Sequence, residues 1–145
     1  MIRDAAHDDI PALLEMGRCF VELAYTRISV PFDYPSAERL LTGLIDSEEG
    51  ILLTNDSQTA MFGAMVHGWH FNNNVKTATE LFWWAEQGCK DAMQMRRMGE
   101  QAAKDLGALT MNMANQEHMR SAALARLYRM EGYRPSENIF IKELV

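Results

Sequence analysis

The sequence predicts an α/β domain, a mixed and mostly antiparallel central sheet flanked by about four helices, with residues 1–145 as one domain. Three observations carry this. Strand and helix periodicities follow one another in the order β-α-α-β-β-β-α-β-α-β. Two strand-type runs meet at the turn Asn55-Asp56-Ser57, which reads as an antiparallel hairpin. The run Thr79-Glu80-Leu81-Phe82-Trp83-Trp84 is too apolar for a surface strand and reads as covered on both faces.

Taken in order, Ile2 to Ala5 is a short opening strand, and Ala6-His7-Asp8-Asp9 turns the chain. Asp8 or Asp9 can cap the next helix, with Pro11 in its first turn. Ile10, Leu13, Leu14, Gly17, Phe20, Val21 and Ala24 recur at helical spacing. Tyr25 to Tyr34 is a loop, and a second helix starts near Ser36 with Leu40, Leu41, Leu44 and Ile45 on one side. Strands follow at Ile51 to Thr54, Thr59 to Trp69 and Thr77 to Ala85. The next helix runs from about Asp91 to Leu106, with Met95, Met98, Ala102 and Leu106 inward and Gly107 closing it. Leu109 to Met113 is a strand. Glu117 to Met130 is a helix with Met119, Ala123, Leu127 and Met130 inward, and Asn138 to Leu144 is the closing strand.

At 145 residues the chain can bury a sizeable core. A net charge of -6 argues against non-specific nucleic-acid binding, which needs a basic face. No run reaches the roughly 18 apolar residues of a membrane span, and Met1 to Ala6 has no apolar signal-peptide core. The expected location is cytoplasmic. Two cysteines supply neither a disulfide framework nor metal-ligand spacing, so no metal is expected. Cys19 sits in an apolar helical pattern, and Cys89, in a loop, lacks an indicated His partner.

The residues that can do chemistry are few. A carboxylate on a central strand is costly unless hydrated or paired. Glu80 therefore either faces a wet cleft, where it relays a proton, or makes a structural hydrogen bond. Glu86 to Ala92 joins a strand to a helix N-terminus, whose amides and dipole favour an anion. Gly88 lets a ligand approach the backbone there, and Gln87, Lys90, Arg96 and Arg97 offer side chains. The alternative is an ordinary strand-to-helix turn. Tyr128 lies at the border of its helix's apolar face: it is either a proton donor or a packed phenol bonded to a backbone carbonyl. His67 and His70 flank Trp69, either lining a substrate side or satisfied at the surface. Gly99, inside a helix, points to close packing with a neighbour.

Asn115-Gln116-Glu117-His118, then Ala125-Arg126-Leu127-Tyr128, then Gly132-Tyr133-Arg134-Pro135 resembles the closing half of the GNAT superfamily of acyl-CoA-dependent N-acyltransferases. Glu80 to Trp84 is similar to its central strand, in a form associated with phage-encoded and bacterial members. The resemblance implies the acyl-CoA N-acyltransferase fold in a single N-acetyltransferase-like domain. It implies acetyl-CoA as cosubstrate and an amine as acceptor, joined by direct attack. Backbone amides of Trp83, Trp84 and Ala85 would then meet the acyl carbonyl and pantetheine arm. Gln87, Gly88, Cys89, Lys90, Asp91 and Ala92 would form the pyrophosphate loop, and Asn115 would contact the coenzyme. Tyr128 would protonate the departing thiolate, and Glu80 would be the base. Phe32, in the loop where acceptors enter, His67 and Glu80 would face the substrate. A homodimer is a further expectation, since dimers are frequent among similar proteins.

The loop departs from the family's Arg/Gln-x-x-Gly-x-Gly/Ala pattern, keeping fragments of it in Gln87-Gly88-Cys89-Lys90-Asp91-Ala92. Asp91 brings a negative charge to a diphosphate seat unless it faces away. Two rival readings therefore stand: a binding module that kept the fold without the catalysis, and a structural or interaction protein such as a virus would use.

Overall fold

The structure is a computed structural model, which describes residues 1–116 and 119–144. β1 (Ile2–Asp4), β2 (Gly50–Asn55), β3 (Ala60–Trp69) and β4 (Asn72–Ala85) pair antiparallel in chain order, and β5 (Thr110–Asn112) joins β4 in parallel. Parallel pairing needs a crossover, and α3 (Ala92–Asp105) provides it. α1 (Ile10–Ala24) and α2 (Tyr34–Asp46) follow β1, and α4 (Ser121–Met130) follows β5. Leu13, Phe20, Leu41 and Leu44 pack with Leu52, Met61 and Phe82 on one face of the sheet. Met95 and Ala103 pack with Phe62, Ala64, Val66 and Ala78 on the other.

The helix starts differ in mechanism. Asp33 caps α2, its carboxylate accepting the Ser36 N–H at 3.0 Å. Asp9, expected as a cap for α1, makes no side-chain cap bond. Its buried carboxylate instead accepts two Arg3 bonds, at 2.7 and 2.9 Å, with the Ala6 N–H and the Gln58 amide. Held by the Arg3 guanidinium, Asp9 ties β1 to the chain reversal.

Helix faces also moved from expectation. α3 buries Met95, Arg96, Gly99 and Ala103, while Met98 is partly exposed. The cause is Gly99: Phe62 of β3 fills the space a Cβ there would need, so the helix approaches the sheet along its glycine. In α4 the buried residue is Tyr128, whereas Ala123 and Met130 are exposed. That helix starts at Ser121; Glu117 and His118, where the sequence places its beginning, lie outside the described residues.

Two corrections concern strands. The expected closing strand, Asn138 to Leu144, does not form: residues 134–144 have no strand structure. Their apolar pattern is strand-like, but a strand needs a ladder partner. Among the described residues none joins the sheet, although β5 pairs only with β4. The second correction is in β4. Gly63 pairs with Phe82 but Ala64 pairs with Glu80, leaving Leu81 as an extra residue in a β-bulge. Strict alternation would set Glu80 with Phe82 and Trp84. The bulge flips it, so Glu80 shares the face of Ala78 and Trp83, opposite Phe82.

Candidate functional site

The site exists because two parallel strands separate. β4 and β5 pair from Thr77↔Thr110 to Thr79↔Asn112 and no further. Beyond that point β4 continues through Glu80 to Ala85, while the chain after β5 turns away through Met113 to Gln116. β4 thus keeps β3 on one side and loses its partner on the other. Its backbone groups from Glu80 onward face a cleft of about 470 Å³. Along β4 the cleft is lined by Glu80, Leu81, Trp83, Trp84 and Ala85, and Ala92 closes it at the start of α3. Phe20 and Tyr25 enter from α1 and its end, and Ala114, Gln116, Met119, Leu124 and Tyr128 form the opposite wall. Phe20 stands edge-on to both Tyr25 and Trp84, at 6.0 and 6.4 Å between centroids, and so stiffens the apolar floor.

At the mouth, one residue holds both candidate catalytic groups. The Ala114 N–H donates to a Glu80 carboxylate oxygen at 2.8 Å, and the Tyr128 hydroxyl donates to the Ala114 carbonyl at 2.9 Å. Burial pushes the Glu80 carboxyl up to about 7, and the Ala114 hydrogen bond only partly opposes it. Burial raises the Tyr128 phenol as well, followed by the nearby Glu80 charge. The result is a carboxyl that titrates near neutrality beside a hydroxyl that stays protonated. Groups pushed apart in this way divide into a base and an acid.

The loop from Glu86 to Asp91 is fixed from outside the cleft. Asn55, almost fully buried at the end of β2, accepts the Thr59 N–H at 2.8 Å and donates to an Asp91 carboxylate oxygen at 2.9 Å. Cys89 Sγ lies 3.6 Å from the Thr59 hydroxyl and 3.8 Å from the Asn55 amide. Asp91 therefore turns its charge toward the β2–β3 turn and makes no side-chain cap bond to α3. The first amides of α3 thus receive no side-chain cap from Asp91. Gly88, at φ +86°, takes a left-handed conformation that a side chain would strain. The indole N–H of Trp83 donates to the Ala92 carbonyl at 3.2 Å, tying strand to helix across the loop.

Of the residues named from sequence, Glu80, Trp83, Trp84, Ala85, Ala92 and Tyr128 line one cleft. Gln87, Gly88, Cys89, Lys90 and Asp91 form the loop beside it. Asn115 lies between two lining residues, with its amide donating to the Ser121 carbonyl at 3.2 Å. Phe32 and His67 lie outside the lining: Phe32 packs edge-on to Tyr34 at 5.0 Å, and His67 Nε2 sits 2.8 Å from the Thr79 hydroxyl. Arg96 and Arg97, offered as anion contacts, are engaged elsewhere. Arg96 is fully buried, 2.8 Å from Glu100 and 2.9 Å from Glu131, and Arg97 is 2.7 Å from Glu131. Sequence reasoning missed Ala114, which acts through its backbone and leaves no side-chain signal. It also missed Phe20 and Tyr25, whose aromatic character was visible but read as core and loop.

No family model matches the sequence, and no curated protein matches it. Solved structures do match its shape. HMB0005, an aminoglycoside acetyltransferase from an uncultured soil metagenomic sample, superposes with a TM-score of 0.71 at 12% identity, covering 100% of this chain and 98% of that one. A transcriptional regulator from Bacillus halodurans C-125 gives 0.76 at 16% identity, covering 99% of both chains. A second aminoglycoside acetyltransferase, meta-AAC0020 from soil metagenome, in complex with sisomicin, gives 0.68 at 10% identity, covering 99% of this chain and 96% of that one. The chain has the acyl-CoA N-acyltransferase fold. A regulator shares it, so the fold alone does not name the chemistry.

Proposed function

We propose that the protein is an N-acetyltransferase that moves an acetyl group from acetyl-CoA to an amine. The observation that carries this is the parting of β4 from β5 after Thr79 and Asn112, with Glu80 and Tyr128 both hydrogen-bonded to Ala114 at the opening. The unpaired edge of β4 at Trp83 to Ala85 fits the amide-bearing pantetheine arm as a further strand would fit. The open α3 amides, with Gly88 and Lys90 beside them, fit a diphosphate, because Asp91 points to Asn55.

Glu80, ionised above about pH 7, takes a proton from the incoming ammonium, directly or through water. The neutral amine attacks the thioester carbonyl; the new C–N bond forms and the C–S bond breaks. Backbone N–H groups of the free β4 edge meet the charge that gathers on the carbonyl oxygen. Tyr128 leaves the Ala114 carbonyl and gives its proton to the departing sulfur; the proton shed by the new amide nitrogen restores the phenol through water, and Glu80 passes its own to solvent. The acceptor enters beside Tyr25 and Phe20, whose rings and the nearby carboxylate suit a cationic amine. The sisomicin bound by one fold neighbour is such a molecule, and aminoglycosides belong among the acceptors to try.

A second reading, a binding module that kept the fold without using the coenzyme, is favoured by one observation: Arg96 and Arg97 are held in ion pairs with Glu100 and Glu131 and are not free for a diphosphate. Thiol release from acetyl-CoA, followed over a panel of aminoglycosides, polyamines and lysine peptides, decides between them. Turnover on one amine, lost when Tyr128 is changed to Phe, supports the enzyme. No thiol release on any amine, with no heat of acetyl-CoA binding by calorimetry, supports the module.

A further inference from the structure

On the acetyltransferase reading, we infer that Arg96 and Glu131, both outside the cleft lining, are positioning residues for Tyr128: their ion pair clamps the end of α4 to α3 and keeps the phenol aimed at the cleft mouth. Tyr128 is the single buried residue of α4. A helix with so little buried surface is easily displaced as a unit. Its start carries no side-chain cap, and Arg120 there stands in a left-handed conformation. Its end is held from α3. Glu131 lies 2.9 Å from Arg96 and 2.7 Å from Arg97. Gly132, at φ +90°, then reverses the chain, and the Tyr133 N–H donates to the Tyr128 carbonyl at 2.9 Å. The turn sets the Tyr133 ring 5.5 Å from that of Tyr128 and 5.8 Å from the Arg96 guanidinium. The Tyr133 hydroxyl donates to Glu100 at 2.9 Å, and Arg96 donates to the same carboxylate at 2.8 Å.

Local stability explains neither partner of the clamp. Glu131 stands at the C-terminal end of α4, where a carboxylate meets the negative pole of the helix dipole. Arg96 is fully buried, and its Nε has no hydrogen-bond partner among the described residues. Burying a cation with a donor left over is costlier than filling the same space with an apolar side chain. What the pair supplies is a fixed direction between two helices, one carrying the phenol and the other beginning at the proposed diphosphate seat. Its charge acts in the same sense. Burial, then Glu80, then Tyr133 raise the Tyr128 phenol, and the Arg96 guanidinium opposes them, easing release of the proton.

A double-mutant cycle on the full chain tests this. Arg96 is buried, so the partly exposed Glu131 is changed instead, to Gln, alone and together with Tyr128→Phe. Thiol release is followed with acetyl-CoA and an amine accepted in the panel above, beside the melt of each variant. Glu131→Gln should lower kcat about 10-fold, leave KM for acetyl-CoA unchanged, and add nothing in the Tyr128→Phe background. An unchanged kcat overturns the inference. So does a loss of equal size in both backgrounds, which would assign Glu131 to the fold in general. A wild type that releases no thiol on any amine sinks the acetyltransferase reading instead, and amide hydrogen exchange then decides the clamp. Faster exchange over residues 121–131 in Glu131→Gln upholds it, and unchanged exchange overturns it.

Discussion

Glu80 is asked to do what an exposed glutamate cannot, which is to titrate near neutrality. Its ordinary value is about 4.5, and burial beside the aromatic wall raises it to about 7. The rate should therefore fall on the acid side of about pH 7. In Glu80→Gln the pH–rate profile of kcat/KM should lose that acid limb, and a superimposable profile would leave water as the base. Stability carries the opposite sign. The folded state holds the Glu80 proton more tightly than the unfolded chain, so ionisation weakens the fold as pH rises from about 4.5 to 7. Glu80→Gln should leave the melting temperature unchanged near pH 4 and raise it by about 2–5 °C at pH 8, read by calorimetry. Tyr128→Phe should cut turnover by about 10²-fold while acetyl-CoA affinity stays the same. Both residues were legible in the sequence by type and position: a lone acid on an apolar strand, and a phenol one turn before a glycine. Their relation was not. It runs through the backbone of Ala114, and any residue but proline there supplies the same N–H and C=O.

Elements place these groups, and one irregularity matters more than any regular stretch. The bulge at Leu81 moves Glu80 to the face of Trp83, where the separating β5 leaves room for it. Nothing in the spacing of an apolar run shows where a strand takes in an extra residue. α3 is similar: its methionines suggested one face, but Gly99 and the Phe62 ring set another, with Arg96 buried among carboxylates. Two outcomes follow from these contacts. Gly99→Ala forces a methyl into the Phe62 ring and should cost about 1–3 kcal/mol in urea unfolding. Asn55→Ala strands the buried N–H groups of Thr59 and Ala60 and frees Asp91. It should cost about 2 kcal/mol and also weaken acetyl-CoA binding, because the released carboxylate can turn toward the diphosphate seat. A melt that falls with coenzyme affinity intact would contradict that second part. The closing strand shows the limit of pattern. Asn138 to Leu144 has a strand's side chains, but a ladder depends on a neighbour that local sequence cannot specify.

At the scale of the molecule, element order was the most legible property, because each periodicity is local and the turns between them are marked. Among the described residues, five of the six expected strands and the four expected helices arise in the predicted order, and the sheet is antiparallel except where α3 forces the parallel crossover. That single parallel pair is what makes a cleft. Antiparallel neighbours joined by tight turns stay paired along their length, bulges included, whereas β4 and β5, joined through a helix, are free to diverge after three pairs. Everything functional claimed for the protein depends on an acyl thioester arm entering that divergence and resting its diphosphate on α3. Among the described residues no helix is long and apolar enough to cross a membrane, and no group of three or more His, Cys, Asp or Glu could hold a metal ion. Titration calorimetry with acetyl-CoA tests the claim most directly. One site per chain with micromolar affinity is expected, abolished by a bulky Gly88→Val substitution in the left-handed loop position. No heat at millimolar coenzyme, with the wild-type protein folded, would contradict it.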